Sequence, residues 1–383
     1  MTVIRIIIVF AITYGSLYPF DFRFGELGED AVDAFLWSWH ARSGRGDLLG
    51  NVILFVPFGL IGTITTGNLS KAFRRMVLVL LAAAIFAAGL QFVQLYLPSR
   101  TAALNDVFWN LLGTAVGCLG GIVLSKYARR WLREGQGLQL VPLFLLGCWA
   151  ALRLNPFVPS IDFQEIKNSL KPLLLHPEIS VVGIAVNAAS WLLAAFMLQR
   201  LGVQRLFGLK LALIIIATLS LEVLIVDNVV TVSNVIGAVI AWILALIILA
   251  PRRPAPVVLA MLVIAALVFQ GLGPFALRPE TATFGWVPFS GFLNGSMHHN
   301  TLVIVEKTFL YGGLIYLLRS AGLDWFRGML ITAVILASIE IAQLFFAHHT
   351  PEVTDPLLAV LLGAGMMALE RTPKAPVQPA HRA

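Results

Sequence analysis

The fold is decided by the stretch 89-GLQFVQLYLPSRTAALNDVFWNLLGTAVGCLGG-121. An apolar segment ends there in a polar hairpin at residues 98–100, and a second apolar segment opens with Asp106 and Asn110. Apolar segments of this length on both sides of a short turn predict a membrane hairpin. A carboxylate and an amide are costly inside a membrane arm, so these two residues indicate a functional site.

The composition places the chain among multi-span membrane proteins. Of its 383 residues, 58% are hydrophobic and only 12% are charged, and the mean hydropathy is +0.87. These values exclude an ordinary soluble domain. Cys118 and Cys148 both fall in apolar runs, so the sequence predicts neither a disulfide framework nor a metal site. The net charge of +7 is read as the Lys and Arg surplus of cytoplasmic loops rather than as a nucleic-acid surface.

Apolar runs of about 17–25 residues predict an all-α, polytopic protein with about twelve transmembrane helices. The predicted spans lie near 3–20, 48–66, 75–97, 103–125, 138–155, 179–199, 208–226, 229–250, 255–273, 301–318, 327–347 and 355–369. Basic residues follow every second span and recur in the tail. Because cytoplasmic segments collect Lys and Arg, we expect both termini to be cytoplasmic.

Three groups of four spans share one order of features, which predicts three parallel four-helix repeats. Each group opens with a helix that ends in Pro-Phe, at Phe20, Phe157 and Phe275. The third span of each group then carries an acid or an amide, at Gln91, Glu222 and Glu340. We therefore expect a most complete unit at 1–135, a divergent unit at 136–253, a third unit at 254–371 and a disordered cytoplasmic tail at 372–383.

The first and third groups match best, through an offset of 249 residues (340 − 91). It relates Gln91 to Glu340, Gln94 to Gln343, Arg100 to His349 and Asp106 to Asp355. Asn110 has no amide counterpart in the third group, so the first unit keeps the fullest polar set. We therefore expect the working site in the first unit.

Seven polar residues of the first unit are predicted to converge near the outer membrane surface. They are Asp47, Asn51, Gln91, Gln94, Arg100, Asp106 and Asn110. Each Asp precedes its Asn by four residues, which puts both side chains of a pair on one helical face. Two interpretations stay open: the Asp residues cap helix N-termini, or the group binds a ligand that Arg100 grips through an anionic group.

Polar residues elsewhere are secondary candidates: Glu222, Glu306, Glu340, Gln343, His349 and Asp355. Glu306 and Lys307 are neighbours within one span, so they should face different directions and have separate partners. Gly113 and Gly117 form a small-xxx-small pair, which predicts a close helix contact.

The polar spacing of the first unit resembles the VanZ-like family. The residues that carry the resemblance are Asp47, Asn51, Phe55, Pro57, Gly59, Gln91, Gln94, Arg100, Asp106, Asn110, Gly113 and Gly117. The family pattern has Glu where this chain has Gln91, whereas Glu340 keeps the acid. The resemblance covers 14–125 well, 270–370 partially and 155–250 faintly. It implies a multi-pass protein of the bacterial cytoplasmic (inner) membrane, in a family named for a member linked to teicoplanin resistance.

Three functions fit these observations. In the first, an outward-facing pocket engages an envelope component such as a lipid-linked sugar, a peptidoglycan precursor or a glycopeptide-like ligand. If the protein is an enzyme, Asp106 or Asp47 acts as the base and Arg100 binds the anionic group. In the second, the protein is a proton-coupled transporter whose coupling groups are Glu222, Glu306 and Glu340. In the third, it is a non-catalytic scaffold for envelope assembly. The expected partner is the lipid bilayer, with no cofactor and no nucleic acid.

Overall fold

The computed structural model describes residues 2–23, 33, 35, 37–40, 45–63, 69–133, 140–175, 177–249, 255–293 and 297–370. Within these ranges the chain forms fourteen α-helices and, in place of strands, three isolated β-bridges. The all-α class predicted from the apolar runs is confirmed. The predicted disordered tail at 372–383 lies outside the described residues.

Twelve of the helices follow the apolar runs along the chain, and the other two, Phe163–Leu174 and Ser290–Leu293, lie between predicted spans. The first four are α1 (Thr2–Leu17), α2 (Arg45–Thr63), α3 (Leu69–Gln94) and α4 (Leu104–Arg133). The next five are α5 (Leu140–Arg153), α6 (Phe163–Leu174), α7 (Val181–Arg200), α8 (Phe207–Val223) and α9 (Val232–Ile248). The last five are α10 (Pro256–Leu272), α11 (Ser290–Leu293), α12 (Met297–Ser320), α13 (Trp325–Gln343) and α14 (Thr354–Glu370).

The protein is a helical membrane protein. Five helices are long and apolar enough to cross a membrane, over Ala72–Gln94, Leu104–Ser125, Val181–Arg200, Asn300–Ser320 and Trp325–Gln343. Six further apolar helices in the described ranges have 10–17 residues, and a helix of about 17 residues is only about 26 Å long, short of the roughly 30 Å hydrocarbon core. Each predicted span overlaps a helix, but the count of twelve spans stays a prediction.

The chain divides into two compact units, Met1–Leu138 with Ala368–Ala383, and Gln139–Met367. The predicted second and third repeats both fall almost entirely within the second of these units. The division of the chain into three repeats therefore stays a prediction.

Helices α2 and α4 pack backbone against backbone in the first unit. A Cβ atom on Gly113 would overlap the carbonyl oxygen of Val52, and one on Gly117 would overlap that of Val56. Gly59 of α2 approaches the backbone of α4 in the same way. The close helix contact predicted from the glycine pair is confirmed.

The three Pro-Phe corners share one local structure. The peptide bond before each proline is cis and the following phenylalanine has positive φ, at Phe20 (67°), Phe157 (63°) and Phe275 (64°). The segment beyond each corner donates a backbone hydrogen bond to the end of the third helix of its group. These bonds run from Arg23 to Tyr96 (2.9 Å), from Ser160 to Leu224 (2.8 Å) and from Arg278 to Phe345 (3.0 Å).

Candidate functional site

Two of the predicted site residues hold the first hairpin against the end of α1. Gln94 Nε2 donates a hydrogen bond to the carbonyl oxygen of Ser16 at 2.7 Å. Arg100 Nε donates to the carbonyl of Tyr18 at 2.8 Å, and its Nη2 donates to that of Gly15 at 3.3 Å. The last carbonyls of a helix lack intrahelical donors, so these side chains satisfy the C-terminal end of α1.

Gln91 closes the hairpin itself. Its buried Oε1 accepts a hydrogen bond from Ala103 N at 2.9 Å, one residue before α4 begins. Asn110, one helical turn after Asp106 in α4, is buried, and its Oδ1 has no hydrogen-bond partner among the described residues. The other candidates are Asn51 and Asp106, which are half-buried, and Asp47, whose side chain lies outside the described residues.

The hairpin between α13 and α14 repeats this bonding. Glu340 Oε2 accepts a hydrogen bond from Glu352 N at 2.8 Å. Gln343 Nε2 donates to the carbonyl of Gly271, near the end of α10, at 2.8 Å. The two glutamines of the first hairpin make the equivalent bonds: Ala103 and Glu352 are related by the offset of 249 residues (352 − 103), and the carbonyl acceptors Ser16 and Gly271 by 255 (271 − 16). The polar pair therefore has one geometric role in both hairpins.

Glu222 takes the position of Gln94 and Gln343, whereas the sequence grouped it with Gln91 and Glu340. The backbone N–H three residues after it, at Ile225, donates to the Glu222 carbonyl at 3.3 Å, and Ile225 forms a β-bridge with Pro159. The same bond and bridge follow Gln343. In this comparison Leu219 stands where the other two hairpins have Gln91 and Glu340.

The carboxylate of Glu222 belongs to a buried ion pair. Arg153 Nη1 lies 3.4 Å from Glu222 Oε1 and Arg153 Nη2 donates to Asn187 Oδ1 at 2.7 Å. Asn187 Nδ2 in turn donates to Asn234 Oδ1 at 3.3 Å. Arg153 also lies over the ring of Trp191, 5.3 Å from its centroid. A charged pair surrounded by amide and aromatic partners joins α5, α7, α8 and α9.

A cavity of about 260 Å³ lies between α10, α12, α13 and the hairpin that leads into α14. Five of the six secondary candidates line it: Glu306, Glu340, Gln343, His349 and Asp355. The sixth, Glu222, lies in the separate ion pair with Arg153. The structure thus brings most of the secondary candidates together, although they were predicted only one by one.

Asp355 is the centre of the charged network in this cavity. Lys307 Nζ donates to Asp355 Oδ1 at 2.5 Å, and the Tyr311 hydroxyl donates to Asp355 Oδ2 at 2.6 Å. Lys307 and Tyr311 lie four residues apart on one face of α12, and Asp355 lies in the first turn of α14. Because both of its oxygens accept a hydrogen bond, this carboxylate is fixed in position.

Carboxyl groups outnumber cations along the cavity wall. Glu306 accepts a hydrogen bond from Gln270 Nε2 at 3.1 Å, so it and Lys307 have separate partners, as their adjacency predicts, although both line the cavity. Glu340, Glu352 and Asp355 add three more carboxyl groups, against the one ammonium, that of Lys307, among the described lining residues. Such a lining favours a ligand that presents amine or hydroxyl donors.

The wall of this cavity also contains two histidine imidazoles, those of His348 and His349. The Nε2 atom of His349 is buried and has no hydrogen-bond partner among the described residues. In the part of the chain that the structure describes, no three His, Cys, Asp or Glu side chains are placed to share a metal ion.

Sequence reasoning missed Lys307, Tyr311 and Glu352 as site residues. The signal for the first two was present, because a lysine within an apolar span is costly unless it has a partner. The tyrosine one turn later lies on the same helical face. Glu352 carried no such signal, since an acid in a polar turn is ordinarily solvated.

Residues 5–125 match the model of the VanZ/LLP1 family. Neither the curated proteins nor the solved structures contain a match to this chain.

Proposed function

Residues 5–125 are a VanZ-like domain, and from that premise we propose that this membrane protein engages a cell-envelope component through its acidic cavity. The ligand we propose is a lipid-linked sugar or precursor whose polar headgroup enters between α10, α12, α13 and α14. The observation that carries the proposal is the Lys307–Asp355–Tyr311 network beside Glu340 in one cavity between apolar helices. Ionisable residues at membrane depth mark ligand or ion pathways far more often than they serve packing alone.

The cavity has the properties of a site for a small polar headgroup. Its volume of about 260 Å³ lies just below the usual range of ligand pockets, about 300–1,000 Å³. The excess of carboxyl oxygens supports recognition of amine and hydroxyl groups, as in an amino sugar. The lipid tail of such a ligand would stay in the bilayer beside the helices.

The third predicted unit supports this function better than the first. In the first unit, Gln91, Gln94 and Arg100 all have bonds to backbone groups of the hairpin or of α1. The third unit keeps the equivalent backbone bonds of Glu340 and Gln343 and adds the network around Asp355. We therefore move the proposed site from the first hairpin to its counterpart.

We also propose that the chain contains three parallel four-helix repeats. The support is local: three Pro-Phe corners whose phenylalanines have nearly the same positive φ, the same backbone bond from the corner segment to the third helix, and the same offset between two hairpins. An even number of spans in each repeat would return every corner to the outer side of the membrane. That orientation, with basic segments on the opposite side, makes the proposed cavity outward-facing.

Mass spectrometry of the lipids retained by the purified protein tests the proposed function. We expect the full-length protein, extracted in lipid discs, to retain a sugar- or amine-bearing envelope lipid that Asp355→Asn loses. The matched control is Asp324→Asn, which removes an exposed carboxylate of the same compact unit that caps α13 outside the cavity. If Asp355→Asn retained the same lipids as the control, the cavity would not be the site.

A proton-coupled transporter is the second candidate, and one observation favours it. Glu306 and Glu340, two of the three proposed coupling groups, line one cavity with a lysine and an aspartate, as carboxylate relays in transporters do. We expect Glu340→Gln to abolish proton-coupled uptake in vesicles if this function holds. Retention of an envelope lipid with no proton-coupled flux in the unmodified protein would decide for the first function.

A further inference from the structure

A second cavity, of about 360 Å³, lies in the first compact unit between α1, α2 and α3. Its walls are apolar and include Ile8 of α1, Phe58 and Ile61 of α2, and Leu78 and Ala82 of α3. None of the described polar candidates of the first hairpin lines it.

Two arginines stand at the same end of this apolar groove. Arg5 belongs to the beginning of α1 and Arg75 to the beginning of α3, and both side chains line the cavity and are exposed. The ends of α1 and α3 meet where Gln94 bonds to Ser16, so the beginnings of the two helices, with their arginines, lie toward the opposite end. The groove is therefore an apolar trough with two guanidinium groups at one end.

Close packing of α2 and α3 forms the floor of the groove. Gly62 and Val79 both line it, and a Cβ atom on Gly62 would lie only 2.7 Å from a methyl carbon of Val79. The two helices therefore touch at this level. The groove is thus built into the packing of the three helices.

We propose that this groove binds one anionic phospholipid of the cytoplasmic leaflet. Its phosphate lies between Arg5 and Arg75, and one acyl chain lies along the apolar walls. Guanidinium groups match phosphate oxygens in bidentate geometry, and basic pockets between membrane helices on the cytoplasmic side bind acidic headgroups. The basic end of the groove also coincides with the side of the membrane on which the Lys and Arg surplus is predicted.

Charge complementarity decides for this occupant over a zwitterionic lipid or a protein segment. Two cations, with no carboxylate among the described lining residues, select a net negative headgroup, and the walls offer only apolar contact to the acyl chain attached to it. This site is independent of the acidic cavity, because the two lie in different compact units. If binding at one of the two sites is disproved, the proposal for the other site can still be tested.

Native mass spectrometry of the full-length protein in detergent tests the proposal with two probes, dioleoyl phosphatidylglycerol and dioleoyl phosphatidylcholine. We expect one molecule of phosphatidylglycerol to bind at least about fivefold more tightly than phosphatidylcholine, since each basic residue near a membrane surface strengthens acidic-lipid binding about that much. Arg5→Gln and Arg75→Gln should each weaken phosphatidylglycerol binding about fivefold and leave phosphatidylcholine binding unchanged.

Arg74→Gln is the matched control. Arg74 precedes Arg75 on the same exposed turn of α3 but does not line the groove. It should keep the selectivity of the unmodified protein, whereas Ala82→Phe, which fills the groove, should weaken the binding of both lipids. Equal losses in Arg74→Gln and Arg75→Gln would overturn the proposal, as would equal affinity of the unmodified protein for the two lipids.

Discussion

Lys307 Nζ donates a hydrogen bond of 2.5 Å to Asp355 Oδ1, joining α12 to the first turn of α14 within the acidic cavity. The side chain of Asp355 is 11% exposed and that of Lys307 is 30% exposed, so the pair is mostly withdrawn from water. The same aspartate accepts a second hydrogen bond from Tyr311. Among the described lining residues, the one ammonium group pairs with Asp355, whereas Glu306 and Glu340 accept hydrogen bonds from uncharged amide groups.

Lys307→Met should destabilise the protein by about 3 kcal/mol, because removing one partner of a buried pair leaves an uncompensated charge. Lys307→Met combined with Asp355→Leu should be more stable than Lys307→Met alone, since the unpaired carboxylate is then gone. The measurement is thermal unfolding in detergent, followed by tryptophan fluorescence.

Arg327→Gln is the control for this prediction. Arg327 also pairs with an aspartate, Asp324, at 3.2 Å, but both side chains are largely exposed, at 71% and 57%. An exposed pair contributes at most about 1 kcal/mol, so the control should melt close to the unmodified protein. Equal destabilisation by Lys307→Met and Arg327→Gln would contradict the prediction that burial makes the Lys307–Asp355 pair more important for stability than an exposed pair.

Gly117→Ala should destabilise the first unit by about 2 kcal/mol, within the range for overpacked contacts. Its new Cβ would overlap the carbonyl oxygen of Val56, so α2 and α4 would have to separate. Unfolding in detergent measures the change, and loss of the α2–α4 contact should also increase proteolysis between these helices.

Gly89→Ala is the matched control, because nothing lies within 4 Å of a Cβ atom at that helical glycine. Alanine has a higher helix propensity than glycine by about 1 kcal/mol, so this variant should be as stable as the unmodified protein or slightly more stable. A stable Gly117→Ala variant would contradict the backbone contact.

The helices and the glycine contact could be predicted from local sequence, because span length and small-residue spacing are properties of neighbouring residues. The position of the candidate site could not be predicted in this way. Gln94 and Arg100 were read as ligand-binding groups because polar side chains are rare at membrane depth, yet a carbonyl at the end of α1 satisfies them equally well. Which of these applies depends on a helix about 80 residues away in the chain.

The acidic cavity could not be predicted from the sequence for a related reason. Its carboxyl groups come from α12, α13, the following hairpin and α14, and the spacing of polar residues within each helix says little about which helices become neighbours. Gln91 and Glu340, which the 249-residue offset relates, make equivalent bonds, to Ala103 and Glu352. It did not predict which copy carries the charged network.

Glu222→Gln should destabilise the second compact unit by about 3 kcal/mol, because it leaves the guanidinium of Arg153 without its buried counter-charge. Arg153→Met combined with Glu222→Leu should recover part of this loss, since neither charge remains. The thermal midpoints of the single and double variants measure the difference. A double variant that melts below Glu222→Gln would contradict the assignment of the pair as a compensated buried charge.

Arg100→Lys tests whether Arg100 holds the end of α1 or binds an anionic ligand. The substitution keeps the positive charge but loses the planar fork through which Nε and Nη2 reach the carbonyls of Tyr18 and Gly15. Hydrogen bonds from a charged donor contribute about 1.5–3 kcal/mol, so the loss of one should lower the free energy of unfolding by about 2 kcal/mol. The exposed Arg74→Lys variant should leave it unchanged. If Arg100 instead holds an anionic ligand by its charge, Arg100→Lys will unfold at the same midpoint as the unmodified protein and lose only ligand affinity. We expect the opposite: a less stable protein whose lipid content is unaltered.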